Sequence, residues 1–502
     1  MSLSDDSEDS QLKLAIALSL QDEVDHERNH AKQKSTEPKS ENATIGIFSS
    51  LDRKKMEQER LARLAGKRNR EVSDMHDEND MPMAKKKGGL SADLSSYHGD
   101  VPFPEGVVKR TWVRGYDRTN DDIKIEEIFQ KKDLVLAFLS SFQWDEPWLL
   151  SKIDVSRTKV VLAAFAQDES QFAKYVRIVV PTGNLVPHDW GETGFLENMI
   201  FIIDLPLKLS RDENTVDSAF LIQIQSFLRA MGVEESMVSS LAKYNFSKAD
   251  KMRFIYSIPG SHSGASFFEI GYNALGRAVT SLGMDTQGPL QIDVACASLG
   301  AVKMDLVEAM YRACQGHGRG RDHESTNDDP GPSSLNPTKL SLNERFRIYF
   351  PSHNTVKNSR GGQNAAGTIC LQKKWWLAAT FPRHLVCDCV NTRQGLLMHS
   401  KIILVRPDEA AVNRAERGQS WAYVGSANLS ESAWGRVFKD RRTAQSKILC
   451  RNWECGVVLP VHLSMASQSA SVGVIPGIIP VPMQIPGRRY SQDEQPWFFQ
   501  TP

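Results

Sequence analysis

The sequence predicts an α/β protein of two similar halves, preceded by a disordered, charged N-terminal tail. Three observations carry that prediction. From Val101 onward, short runs of Val, Ile, Leu and Phe alternate with turn residues and longer amphipathic stretches, as in a layered α/β core. The segment "IVVPTGNL" (178–185) is echoed by "AYVGSANL" (422–429): each is an apolar run followed by small residues and an asparagine. Residues 1–100, by contrast, are charged, poor in aromatics and broken by Ser, Asp and Lys clusters, too polar to build a core.

Taken in order, the tail opens with "DDSEDSQLKLAIALSLQDE" (5–23), an acidic run leading into a short amphipathic helix at about 10–23. Leu12, Ala15, Ile16, Ser19 and Leu20 share one face of it. Small Ala and Ser between leucines let a partner surface come close, the helix-in-groove mode of recognition. "GKRNR" (66–70) and "AKKKGG" (84–89) are basic clusters suited to nuclear localisation or nonspecific nucleic-acid contact.

The first half is expected over 101–265. "LVLAFLSSF" (134–142), "TKVVLAAFA" (158–166), "VRIVVPTGNL" (176–185) and "ENMIFIIDLP" (197–206) read as buried strands or core helices. "DSAFLIQIQSFLRAMG" (217–232) reads as a helix stopped at Gly232, and "KMRFIYSIPGSHSG" (251–264) as a strand closing this half. The second half, 266–502, is interrupted at about 314–340 by a stretch too polar and too rich in Gly and Pro for a core, expected to be a disordered surface insert. "ERFRIYFPS", the run around His399, "WAYVGSANLS" and "NWECGVVLP" supply its later strands.

A chain of 502 residues can bury substantial cores in both halves. Lys+Arg and Asp+Glu both number 61, so any recognition of a charged partner must come from a local patch. The seven cysteines begin at Cys296 and form no metal-ligand array, so they are expected as free thiols in a reducing compartment. No apolar run reaches the length of a membrane span and the N-terminus lacks a secretory core, so a soluble intracellular protein is expected.

The chemistry concentrates in "GLLMHSKIILV" (395–405). On a strand His399 and Lys401 would face the same way. An imidazole can attack phosphorus or move a proton, and an ammonium neutralises charge developing on phosphate oxygens. Shortly after, "GSANLSESAWG" (425–435) offers a tight turn, an amide at Asn428 that can orient a phosphate, and Trp434 to pack the following helix.

"HSK" followed by "GSANLS" resembles the H-x-K…N signature of the phospholipase D superfamily, and "SANLSESAWG" is similar to its tyrosyl-DNA phosphodiesterase branch, in a fungal-like version. "RIVVPTGNLVPHDWGETG", "IYSIPGSHSG", "ASLGAVK", "IYFPS", "NWECGVVLP" and "VPMQIPGRRYSQDEQPWFF" fall in the family's order, covering about residues 100–500. The resemblance implies two phospholipase D-like halves with the site at their interface. It also implies metal-independent, cofactor-free hydrolysis of the 3′-phosphodiester joining DNA to a tyrosine, as left by a stalled topoisomerase I. One histidine attacks to give a phosphohistidine, and the other protonates the leaving tyrosine and then activates water. By this resemblance His399 is the acid/base histidine, Lys401 and Asn428 bind phosphate, Asn184 is the first-half asparagine, and Glu454 orients the nucleophile. Ser298, Gly300 and Ser430 match DNA contacts, with Ala301 standing where the family usually has a serine. The expected partner is DNA, single-stranded or duplex, with a peptide adduct on its 3′ end. The chain is expected to work as a nuclear monomer, away from membranes. The tail helix resembles a ubiquitin-interacting motif through Leu12, Ala15, Ile16 and Ser19, followed by Asp22 and Glu23, so ubiquitin is a second expected partner.

The first H-x-K pair is absent. "KVVLAAFAQDESQFAKYVRIVVPTGNL" contains no histidine, Lys159 and Lys174 have no companion imidazole, and His188 comes after Asn184. If 158–166 and 176–180 were parallel neighbours, about nine residues would join them, fewer than a parallel crossover needs. The shortening near 166–176 is therefore expected to remove a helix and a core strand and to leave an exposed or mispaired edge. Three readings stay open: a skipped coding segment, a variant without the nucleophile, or a substitute nucleophile such as His188. The alternative to an enzyme is a non-catalytic adaptor that binds DNA ends and ubiquitin. A phospholipase is disfavoured by the absence of a strong membrane-binding segment.

Overall fold

In "MIFIIDLP" every residue but the last is buried, and side chains leave the strand alternately to two different cores. Met199, Phe201, Ile203 and Leu205 enter the large core, whereas Ile200 and Ile202 enter a smaller one. A strand covered on both faces must sit inside a sheet. The structure, a computed structural model, describes residues 101–162, 174–208, 217–317, 339–408, 419–461 and 479–499, all within the compact unit Gly88–Pro502. The tail helix with Leu12, Ala15, Ile16 and Ser19, the basic clusters, and most of the predicted insert lie outside the described residues.

The first-half strands are β1 (Val107–Thr111), β2 (Asp122–Ile123), β3 (Leu136–Leu139), β4 (Lys159–Leu162), β5 (Tyr175–Pro181), β6 (Leu196–Glu197) and β7 (Met199–Pro206). They form a sheet of order β2-β1-β7-β5, with β3 and β4 paired in parallel as a separate sheet. Helix α1 (Ala219–Ala230) stops beside Gly232, as its sequence predicts, and sets Phe220 and Phe227 against Phe254.

Phe254 belongs to β8 (Arg253–Ser257), followed by β9 (Gly260–His262), β10 (Leu290–Ala295), β11 (Ser298–Leu299), β12 (Phe346–Phe350), β13 (Cys370–Leu371) and β14 (Val386–Asp388). Helices α2 (Gly271–Ser281) and α3 (Met304–Cys314) pack on one another beside them. The chain continues through β15 (Leu397–Met398), β16 (Ile402–Pro407), β17 (Trp421–Gly425), the short helix α4 (Glu431–Trp434), β18 (Arg436–Lys439), β19 (Ser446–Cys450) and β20 (Glu454–Pro460). The main sheet runs β14-β12-β10-β16-β17-β20-β8.

Hydrogen bonds show the repeat directly. Ser426 N donates to Cys455 O at 2.9 Å, and Cys455 N donates to Ser426 Oγ at 3.1 Å. In the first half Thr182 N donates to Met199 O at 2.9 Å, and Met199 N donates to Thr182 Oγ1 at 3.1 Å. Thus β5 and β7 correspond to β17 and β20, and Asn184 to Asn428. Since β1 lines the outer side of β7 as β8 lines that of β20, β8 belongs to the second half. The strand expected within 251–264 thus pairs into the seven-stranded sheet, beside β20. Apolar alternation marks a strand but does not say which sheet accepts its edge.

The same correspondence shows where the two halves differ. In the second half β16 sits between β10 and β17 and ties the parallel strands to the antiparallel ones. In the first half no described strand bridges the β3–β4 pair and β5, so the sheet is divided and β5 forms an edge. The expected strand through His399 also differs: β15 pairs with β6, β16 with β10 and β17, and His399–Lys401 span the break between the two sheets. No described helix is long and apolar enough to cross a membrane.

Candidate active site at the junction of the halves

The β6–β15 pair joins the halves, with Leu397 opposite Leu196 and Met398 opposite Glu197. His399 N then donates to Glu197 O at 3.1 Å, which sets the chain as it leaves β15. The Glu197 carboxylate is held from behind by Asn391 Nδ2 and by the Arg393 guanidinium, which also reaches Asp122 at 3.2 Å and Thr111 O at 3.0 Å. A buried ion-pair cluster thus fixes the backbone that presents His399.

His399 is only 8% exposed, and its Nδ1 lies 3.0 and 3.1 Å from the two carboxylate oxygens of Asp189. Asp189 is itself 1% exposed and accepts Asn184 N at 2.6 Å and Asn198 Nδ2 at 3.1 Å. Burial works to raise its carboxyl pKa, but His399, Lys401 and the Asn184 N–H outweigh that and hold it well below the usual carboxylate range. Burial lowers the His399 pKa below its ordinary 6.5, with Asp189 opposing and Lys401 and His188 adding to the drop. At neutral pH the imidazole is therefore neutral and donates Nδ1–H to an ionised Asp189. That tautomer leaves Nε2 as the basic nitrogen.

Lys401 Nζ donates to Thr182 O at 2.6 Å and to His399 O at 2.8 Å, tying its own segment to the first-half turn. Burial brings its pKa down to about 8, against the pull of Asp189 and Glu454. An ammonium with two of three donors used retains one for an anion.

Asn428 Oδ1 accepts Ser298 N at 3.0 Å, bringing the "ASLG" and "SANL" turns together. A parallel bridge between Leu299 and Leu429 extends that contact. A Cβ on Gly300 would lie 3.0 Å from Ser430 Cβ, so the missing side chain permits the approach. Ser430 caps α4 by accepting Ala433 N at 3.2 Å. Ser298, Gly300, Asn428 and Ser430 thus form one cluster. Asn184 O accepts Trp190 Nε1 at 3.0 Å.

Glu454 takes a different setting from the one its resemblance implies. It accepts Ser426 Oγ at 2.5 Å and Asn452 Nδ2 at 2.9 Å, and no histidine is among its partners in the described residues. Burial raises its carboxyl pKa, with Ser426, Asn452 and Lys401 opposing. Its first-half counterpart is Asn198, whose Oδ1 accepts Thr182 Oγ1 at 3.0 Å. Sequence reasoning missed Asp189 and Asn198. The signal for Asp189 was "HDW" five residues after Asn184, but an acid in a turn ordinarily reads as solvated.

Among the described residues, no cluster of three His, Cys, Asp or Glu side chains is placed to hold a metal ion. The arrangement offers a proton carrier with a fixed tautomer, a buried ammonium and paired asparagine turns, the equipment for a phosphate ester.

A family model described as tyrosyl-DNA phosphodiesterase matches residues 107–174 and 170–491, in two pieces that meet where the chain is short. The chain is 21% identical over 292 residues to a probable tyrosyl-DNA phosphodiesterase of Caenorhabditis elegans, covering 56% of this chain and 58% of that protein. It is 22% identical over 367 residues to tyrosyl-DNA phosphodiesterase 1 of Drosophila melanogaster, covering 68% and 56%. Each match spans little more than half the relative's length. The yeast tyrosyl-DNA phosphodiesterase crystal structure shares the fold at a TM-score of 0.54 and 17% identity, covering 78% of this chain and all of that one. A mutant of the yeast enzyme gives 0.55 at 18% identity, covering 79% and 100%.

Proposed function

The chain belongs to the tyrosyl-DNA phosphodiesterase family, and from that premise we propose that it recognises DNA 3′ ends bearing a phosphotyrosyl adduct, such as a stalled topoisomerase I leaves. The observation that carries this reading is the His399–Asp189 pair beside Lys401, built across the junction of the two halves. In the proposed reaction neutral and protonated His399 alternate as base and acid at the tyrosyl oxygen and water, while Lys401 and Asn428 hold the phosphate. No cofactor is needed for these roles.

The family's phosphohistidine step requires a second histidine near Glu454, whose partners among the described residues are Ser426 and Asn452. The matching stretch carries no such histidine, so binding of the adducted end by Lys401 and Asn428 is expected to survive better than turnover, because residues of such a unit act together. This one-sided site also supports the second reading, a non-catalytic adaptor for DNA ends and ubiquitin. On the same premise we assign the protein to the nucleus, as a monomer, with the tail helix as its ubiquitin contact.

Incubation with a 3′-phosphotyrosyl oligonucleotide tests the proposal. Binding without release of tyrosine is expected. Insertion of an in-frame H-x-K segment between Ala166 and Tyr175 should restore turnover, and a transcript carrying such a segment would exclude the adaptor. Turnover by the unaltered chain, abolished in His399→Ala, would overturn the one-sided reading. Its loss in His188→Ala would move the nucleophile to His188.

A further inference from the structure

Between α4 and β20 the chain extends as a two-stranded finger that the phosphate site does not use. β18 and β19 pair antiparallel from Arg436↔Leu449 to Lys439↔Ser446, and β19 is flanked by β9. Both legs are anchored in the site. β18 leaves α4, whose cap is Ser430, and β19 returns through Arg451, Asn452 and Trp453 into Glu454.

From Glu431 to Arg451 this segment carries six cations, Arg436, Lys439, Arg441, Arg442, Lys447 and Arg451, against two anions, in a chain of zero net charge. The anions are already engaged. Asp440 binds Lys447 at 2.5 Å and accepts Arg442 N at 2.8 Å and Thr443 N at 3.1 Å, which shapes the tip, while Glu431 lies 4.0 Å from Arg436. Lys439, Arg441, Arg442 and Arg451 are exposed and have no ion-pair partner among the described residues. Trp453, two residues after Arg451, is 46% exposed and packs against Phe227.

We infer that this finger is a contact for the sugar–phosphate backbone of DNA whose 3′ end enters the site. The inference rests on the proposed function and extends it to where the rest of the strand lies. Concentrated, unneutralised charge costs self-repulsion unless an anion shares it, and exposed cations on a finger that starts and ends at the phosphate site suit the backbone of a strand. Four residues of strand reach about 13 Å, matching roughly four phosphates along one strand of a duplex. An ordinary solvated hairpin would have no reason to begin and end at the site.

The test uses the full chain and compares Lys439→Gln/Arg441→Gln/Arg442→Gln with the charge-preserving Lys439→Arg/Arg441→Lys/Arg442→Lys. Fluorescence anisotropy is measured over a salt series with single-stranded oligonucleotides ending in 3′-phosphotyrosine or 3′-hydroxyl. Loss of three phosphate contacts should make the log–log salt slope shallower by about 2 and weaken binding to both oligonucleotides at low salt by tenfold or more. The charge-preserving variant should retain the slope. An unchanged slope in the neutralised variant, or no binding by the unaltered chain at any salt, would overturn the inference. Equal binding of the two oligonucleotides by the unaltered chain would instead count against the end-recognition reading, with the slope difference still supporting the finger.

Discussion

Asp189, contributed by the first half, accepts the Nδ1–H of His399, contributed by the second, at 3.0 Å in a setting almost closed to solvent. The bond ties the proton chemistry of one half to a turn of the other. It also fixes which imidazole nitrogen is free, so the halves must be docked before the site has a defined tautomer.

Burial depresses the His399 pKa and Asp189 opposes it. Asp189→Asn removes the opposing charge, so the imidazole pKa should fall further. A histidine-resolved NMR titration reads this without any need for activity. A rise would show that Asp189 does not act on the ring as described.

Lys401 protonates at about 8 in the folded chain against 10.5 ordinarily. Affinity for a 3′-phosphorylated oligonucleotide should therefore decline as pH climbs past 8, approaching tenfold per unit, and Lys401→Met should lose both the affinity and its pH dependence. For stability, the folded pKa lies below the unfolded one, so the unfolded chain holds more protons between the two. The burial penalty, roughly 3 kcal/mol, is fully present below about 8 and is relieved as pH rises toward 10.5. Denaturant titrations of the unaltered chain should show that rise relative to Lys401→Met.

Arg393 neutralises Glu197 and Asp122, both carboxylates closed to solvent. Arg393→Leu should destabilise by about 3–5 kcal/mol because it leaves buried charge unpaired. Glu197→Gln in the same chain should recover part of the loss. Urea unfolding of the single and double variants gives both numbers, and a loss below 1 kcal/mol in the single variant would contradict the buried ion-pair assignment.

Gly456 in β20 faces the Tyr423 ring so closely that a Cβ would fall 2.1 Å from it. Gly456→Ala should cost about 1–3 kcal/mol through overpacking and spread the turn that holds Ser426 against Glu454. A thermal melt checks the stability, and an unchanged melting temperature would mean that the ring has room to move.

Several elements were legible from residue type and spacing. Local signals specify the helix ending at Gly232, the buried run of β7 and the paired "PTGNL" and "GSANL" turns, because capping, periodicity and turn chemistry act over a few residues. Those same signals were silent on the edge at which β8 docks and on the break at His399–Lys401. Strand pairing between distant segments is chosen by the whole sheet, and β15 and β16 enter different ones.

The sequence by itself determined the chemical inventory: one H-x-K pair at His399 and Lys401, two asparagine turns, and no histidine in the stretch before the first of them. Only the tertiary structure decided that Asp189 is a buried partner of His399, that Glu454 is satisfied by Ser426 and Asn452, and that the first-half sheet divides where β16 has no counterpart. The physical reason is burial. A carboxylate's role depends on what removes its water, and residues brought from far along the chain do that.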